Sequence, residues 1–155
     1  MRAPRLTETL DEYLAVRLAT AGAVARRELD RACRARGRPL REVSLLVAAA
    51  DRPGLPPGAL ADRLGLQRSE VSRVLDDLRY DGWLVLDAHR FDQRSRAVRL
   101  LDDGNAMVAA ARPVLAGVDR RLRAGLTPLR QRQLTACLEL LKGPRTPVAD
   151  ALNAL

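Results

Sequence analysis

The stretch that decides the fold runs from Leu60 to Gly104: LADRLGLQRSEVSRVLDDLRYDGWLVLDAHRFDQRSRAVRLLDDG. Ala59 to Leu64 predicts a short helix, stopped at Gly65. A second helix follows over Arg68 to Asp81, with Val71, Val74, Leu75 and Leu78 at i, i+3, i+4 and i+7, a full match to one buried face. Gly82 ends it, and the period then switches from helix to strand. Trp83 to Asp87 and Arg96 to Leu101 read as short strands around a polar loop, Ala88 to Ser95. In the second strand Val98 and Leu100 should face inward, and Ala97 and Arg99 outward. A short helix, a glycine turn, a second helix and a basic two-stranded tip together make a shape fitted to DNA grooves.

Working outward, Leu6, Leu10, Leu14, Leu18, Ala21, Ala25, Leu29 and Ala32 recur at threes and fours, which predicts one long helix from Leu6 to about Arg36. Gly37 and Pro39 end it. A helix so long rarely buries its whole stripe inside its own small domain, so it implies a partner chain. Leu40 to Ala50 predicts a further helix, closed by Pro53-Gly54 and Pro56-Pro57-Gly58. After the hairpin, Asp102 or Asp103 can cap a helix over Gly104 to Ala124, which Pro113 should kink or break. Thr127 and Pro128 supply the N-cap and N1 proline of a helix to about Lys142. The tail, Pro147 to Leu155, reads as one or two more helical turns. The expected fold is mainly α with a small β-hairpin wing and about six helices. Its regions are 1–37 (N-terminal dimerisation helix), 38–103 (DNA-binding region) and 104–155 (C-terminal dimerisation helices).

Composition agrees with a single interleaved domain. In 155 residues there are only four aromatic side chains, Tyr13, Tyr80, Trp83 and Phe91, so Leu, Val and Ala must build the core. The net charge of +8 suits a polyanionic partner but does not locate one. Residues 1–41 carry +5 of it, and residues 62–99 only +1. Cys33 and Cys137 lie far apart and His89 is the lone histidine, so neither a disulfide framework nor a Cys/His zinc site is expected. No apolar run approaches a membrane span and no signal-peptide core opens the chain; a cytoplasmic protein without cofactor is expected.

The buried face of the second helix settles which side chains are free. Gln67, Arg68, Ser69, Ser72 and Arg73 lie opposite it, in the first turn and a half. Arg can read guanine bidentately and Gln can read adenine, while short serines let the backbone approach phosphates. Asp76, Asp77 and Asp81 follow, where negative charge would be held away from DNA. Arginine frequency adds nothing here: 26 in 155 residues would place between two and three in any 15, and Gln67 to Asp81 has three. A merely solvated helix face is the competing reading. The hairpin differs, with Arg90, Arg94, Arg96 and Arg99 inside twelve residues. A narrow arginine-bearing tip suits the minor groove, and Asp92, two residues from Arg94, could aim its guanidinium. The densest basic stretch, Arg26 to Arg38, is expected to solvate the end of the long helix.

The run Ala61-x-x-Leu64-Gly65-Leu66-x-x-Ser69-x-Val71-Ser72-Arg73-x-Leu75-Asp76-x-Leu78-x-x-x-Gly82-Trp83-Leu84 resembles the winged helix-turn-helix of the MarR family. Asp92-x-Arg94-x-x-x-Val98-x-Leu100-x-x-x-Gly104 resembles that family's wing signature, and the flanking helices fit too. The resemblance implies a homodimer held by its first and last helices, with one recognition helix per half-site of a pseudo-palindromic operator. It also implies a transcriptional repressor relieved by a small-molecule effector, with Ser69, Ser72 and Arg73 touching DNA from the helix and Arg94 from the wing. Two positions depart from the pattern. Gln67-Arg68 stands where the family often has Ser/Thr-Pro, and Leu101 where it usually has Thr.

Other classes stay in view. A thiol-based redox sensor would need Cys33 or Cys137 as a lowered-pKa thiolate, and Arg31 and Arg34 flank Cys33. A winged-helix module could serve protein contact or non-specific DNA binding instead. An enzyme is not expected, since no nucleophile triad, phosphate loop or convergent carboxylate pair appears.

Overall fold

The computed structural model describes residues 9–89 and 92–141; for residues 11, 89 and 92–95 only the backbone is described. Six α-helices and one two-stranded antiparallel sheet lie among them. Contacts divide the chain into two units, Met1–Val118 and Asp119–Leu155.

The first helix is shorter than expected. A 3-10 turn, Leu10–Glu12, leads to Tyr13 at φ −74°, ψ 121°, and α1 is Leu14–Arg34. An extended residue cannot continue the helical ladder, so α1 starts anew there. The apolar stripe runs across this break because side-chain spacing does not register one backbone torsion. The expected start at Leu6 lies outside the described residues. Of α1 only Cys33 is buried, while Leu14, Leu18 and Val24 are exposed.

The turn after α1 is closed by α1 itself. Gly37 takes a positive φ of 88° there. Pro39, the N-cap of α2 (Leu40–Asp51), has no side-chain oxygen, so Asp30 of α1 takes that role: Leu40 N–H donates to its Oδ1 at 2.9 Å. Arg34 beside Asp30, and then this N–H, hold its carboxyl below the usual 3.8. A carboxylate with a lowered pKa stabilises the fold above its ordinary value, and that contribution vanishes as pH falls through the lowered one. Asp30→Asn should therefore melt earlier than wild type at pH 7, the gap closing in thermal scans taken progressively below pH 4. A gap constant with pH would contradict this.

α3 (Pro57–Leu64) carries the N1 proline and ends at Gly65, left-handed at φ 64°. α4 (Arg68–Tyr80) buries Val71, Val74, Leu75 and Leu78, as its spacing predicted. These pack with Leu45 and Leu46 of α2, Leu60 of α3, Val98 of the wing and Val108 of α5 (Asp102–Arg123) in one core. A smaller cluster joins Cys33, Val43 and Ala111.

The wing strands are longer than expected: β1 is Leu84–His89 and β2 Asp92–Leu100, so both run into the anticipated loop, where Ala88, His89 and Asp92 are paired. Their register runs from Leu84↔Leu100 to Ala88↔Arg96, then jumps to His89↔Asp92. The bulge leaves residues 93–95 without a counterpart, which is why alternation faded there and looked like loop. Leu84 and Val98 are buried and Arg99 is exposed, in the expected sense. Leu55 adds one rung, accepting from Val98 N–H at 3.1 Å.

Asp102 and Asp103 form the first turn of α5, and the helix continues through Pro113 without the expected break. Pro113 and Ala109, whose carbonyl loses its partner to the ring, are both exposed, so water can satisfy that carbonyl. In the second unit α6 (Pro128–Leu141) is capped as expected, Arg130 N–H donating to Thr127 Oγ1 at 3.4 Å. It buries no residue and exposes Leu129, Leu134, Leu138 and Leu140. The expected extension to Lys142 and the helical turns of the tail lie outside the described residues.

Candidate nucleic-acid interface

The core fills one side of α4 and so sets what the other presents. Gln67, Arg68, Ser69, Ser72 and Arg73 are all exposed, in the first turn and a half, where the sequence placed them. Gln67 is the N-cap residue and makes no side-chain cap. The first N–H groups of a helix have no intrahelical partner, and with no cap here they are open to a phosphate.

The arginines of this helix are not equivalent. Arg68 leans back toward α3, its Nη2 3.7 Å from Asp62 Oδ2, and Arg79 is tied to Asp76 at 3.1 Å. Arg73 has neither a hydrogen-bond nor an ion-pair partner among the described residues. It stands between Ser69 and Ser72 on the outward face as the uncommitted guanidinium of α4. Tyr80, 92% exposed at the far end, extends that face and was not among the residues expected to matter. Its own sequence signal is nil, because one aromatic at a helix end suits core and surface alike.

The wing candidates divide. Arg96 is exposed on β2, opposite Ala88. Arg94 falls in the bulged stretch. Arg90 lies outside the described residues, and so does the side-chain pairing expected of Asp92 and Arg94. Arg99 is bound to Asp87 across the strands at 2.6 Å, which holds its guanidinium above its ordinary pKa. An exposed pair of this kind adds little stability. Arg99→Ala should accordingly leave the thermal midpoint of the folded protein within the error of the measurement; a large drop would show the pair to be structural.

Arg38 corrects the reading of the basic stretch. It turns inward instead of solvating α1, with Nη1 3.2 Å from Glu42 and 3.1 Å from Asp81. Its guanidinium carbon stands 4.3 Å from the centroid of the Trp83 ring. Asp81 is distant by 43 positions, and no local pattern announces such a partner. A groove of about 870 Å³ is lined by residues of α1, α2 and the α3–α4 turn, among them Leu29, Leu40, Leu64 and Leu66 with Arg26, Arg27 and Arg41. It too was invisible in the sequence, since its apolar lining is made of ordinary leucines. Among the described residues no helix is long and apolar enough to cross a membrane.

A two-stranded wing following a helix, a left-handed glycine turn and an exposed second helix define a winged helix-turn-helix protein. Residues 36–95 match the MarR family model, and solved structures share the fold over most of the chain. CouR of Rhodococcus jostii, bound to p-coumaroyl-CoA, is 20% identical with a TM-score of 0.80, covering 90% of this chain and 99% of its own. A MarR family protein of Mycobacterium tuberculosis, in complex with salicylic acid, is 28% identical with a TM-score of 0.68, covering 88% and 99%. BpsR of Bordetella bronchiseptica, whose DNA binding is regulated by 6-hydroxynicotinic acid, is 17% identical with a TM-score of 0.80, covering 89% and 99%. No curated protein matches the chain. The chain therefore has the winged helix-turn-helix fold, and its residues 36–95 are similar to the MarR family that its motifs resemble. That family is one of transcription regulators.

Proposed function

We propose that this chain is a homodimeric, sequence-specific DNA-binding repressor whose affinity for its operator is modulated by a small molecule. One observation carries the reading. The core consumes one face of α4 completely and leaves Ser69, Ser72 and the uncommitted Arg73 outward at its N-terminal half, beside a wing bearing Arg94 and Arg96. That is the chemistry of major-groove base readout with an adjoining minor-groove contact. A two-fold dimer places half-site centres about 10–10.5 bp apart. Selection from random duplexes should enrich a pseudo-palindrome with that spacing, bound with affinity that falls steeply with salt. Equal affinity for random and selected DNA would favour a packaging or protein-contact module instead.

The exposed leucines of α1 and α6 support self-association, since apolar side chains repeated along a helix face are normally covered. Sedimentation should give a dimer. Relatives that hold p-coumaroyl-CoA or salicylic acid, and one regulated by 6-hydroxynicotinic acid, support a small-molecule effector. The groove of about 870 Å³ is the candidate site for it, because Leu66 and Glu70, which line it, belong to the turn and first helical turn that would enter the DNA.

Thiol sensing fits less well. Cys33 is 2% exposed, and burial pushes its thiol above the ordinary 9.0, opposite to the shift a reactive thiolate needs. Cys137 is exposed. A thiol reagent at pH 7 should therefore modify Cys137 alone in the native protein, and Cys33 only after denaturation. Rapid native modification of Cys33, with loss of DNA binding, would restore the sensor reading.

A further inference from the structure

We propose that Arg38 is a positioning residue for DNA binding, fixing the recognition helix α4 against the wing from the α1–α2 connection. The proposal rests on the DNA-binding reading and adds to it where the geometry of the reader is set.

Arg38 makes three contacts with one planar group. Nη1 and Nη2 donate to Asp81 Oδ2 at 3.1 and 3.2 Å, Nη1 donates to Glu42 Oε2 at 3.2 Å, and the plane lies over Trp83 at 4.3 Å. Asp81 is the C-cap of α4, and Trp83 immediately precedes β1. Only Gly82, at φ 77°, separates them. One side chain thus holds both ends of the turn that sets the angle between helix and wing. The backbone at Trp83 already ties three elements together, its N–H donating to Leu78 O at 2.9 Å and its carbonyl accepting from Leu101 N–H at 3.0 Å.

The other end of the clamp is anchored as firmly. Arg38 N–H donates to Cys33 O at 3.4 Å, and the next turn is held by Asp30. A displacement of the end of α1 therefore reaches Asp81 and Trp83 through a side chain that is only 27% exposed. Its two carboxylate partners outnumber its one positive charge, so the cluster would repel a phosphate. Arg38 acts within the fold, not on DNA.

The experiment uses the full chain and a duplex selected by it from random DNA. Binding is titrated across a salt series for wild type, Arg38→Met, Arg38→Lys, Asp81→Asn and the Met/Asn double variant. Fluorescence of Trp83, the sole tryptophan, is read in parallel. Arg38→Met should bind roughly tenfold more weakly, within the range for residues that act through others. Its salt slope should be unchanged and its Trp83 emission shifted. Arg38→Lys should fall between, keeping the charge but losing the planar stack. The double variant should bind no more weakly than Arg38→Met, because both changes break one link. Affinity within twofold of wild type despite a Trp83 shift would overturn the proposal. So would a salt slope reduced by about 1, the mark of a lost phosphate contact. Should Arg38→Met not fold, Arg38→Lys and Asp81→Asn decide by the same criteria. A wild-type chain that enriches no duplex defeats the DNA-binding reading and this proposal with it; wild-type binding matched by all variants defeats the proposal alone.

Discussion

Gly104→Ala is expected to destabilise the protein by roughly 3 kcal/mol, the upper end of overpacking costs. Gly104 is buried in the first turn of α5, and a Cβ built on it would stand 2.3 Å from the carbonyl oxygen of Trp83. Carbon and oxygen do not approach so closely without displacement, and the obstacle is backbone, not a side chain that could swing away. That carbonyl is also engaged, accepting from Leu101 N–H at 3.0 Å, so moving it strains the junction of α4, wing and α5. The opposing effect is the helix preference of alanine over glycine, about 1 kcal/mol in the interior of a helix. Sterics should win. At roughly 2–4 °C per kcal/mol for a chain of this size, the thermal midpoint falls by about 6–12 °C. A midpoint equal to or above that of wild type would mean that the junction yields and that Gly104 is not a requirement of the fold.

Arg73→Ala should weaken binding to a selected operator by about 1–3 kcal/mol, or roughly 5- to 150-fold, and relax preference at one base pair of each half-site. The size follows from its freedom. A guanidinium without a partner in the protein loses no ion pair on meeting guanine. Arg68 must first leave Asp62, and Arg79 must leave Asp76. Arg68→Ala and Arg79→Ala should therefore each cost less than Arg73→Ala in the same titration. Arg94→Ala should lower affinity with little change of sequence preference, as expected of a minor-groove contact that reads width and potential. If Arg73→Ala bound the operator as well as wild type, α4 would not be the reader.

Much of this was legible in the chain because it is local. The apolar positions Val71, Val74, Leu75 and Leu78 fix a helix and its buried face within eight residues, and with them the outward set from Gln67 to Arg73. Gly65 and Gly82 mark the turns, and both take the positive φ that only glycine adopts without cost. The wing was legible at its base, where Val98 and Leu100 alternate. It was misread at its tip, where a bulge destroys the alternation that signals a strand.

Order and periodicity thus determine the winged helix-turn-helix and the residues its second helix presents, since both depend on side chains a few positions apart. Contacts between distant positions assign the remaining roles. Arg38 belongs to a basic run until Asp81 and Trp83 are folded against it. Arg68, Arg73 and Arg79 are alike on paper until Asp62 and Asp76 occupy two of them. Gly104 is a motif letter until the Trp83 carbonyl arrives beneath it. Spacing along the chain determines which face a residue takes, but charge pairing and steric exclusion act only between groups that folding has brought within a few ångströms.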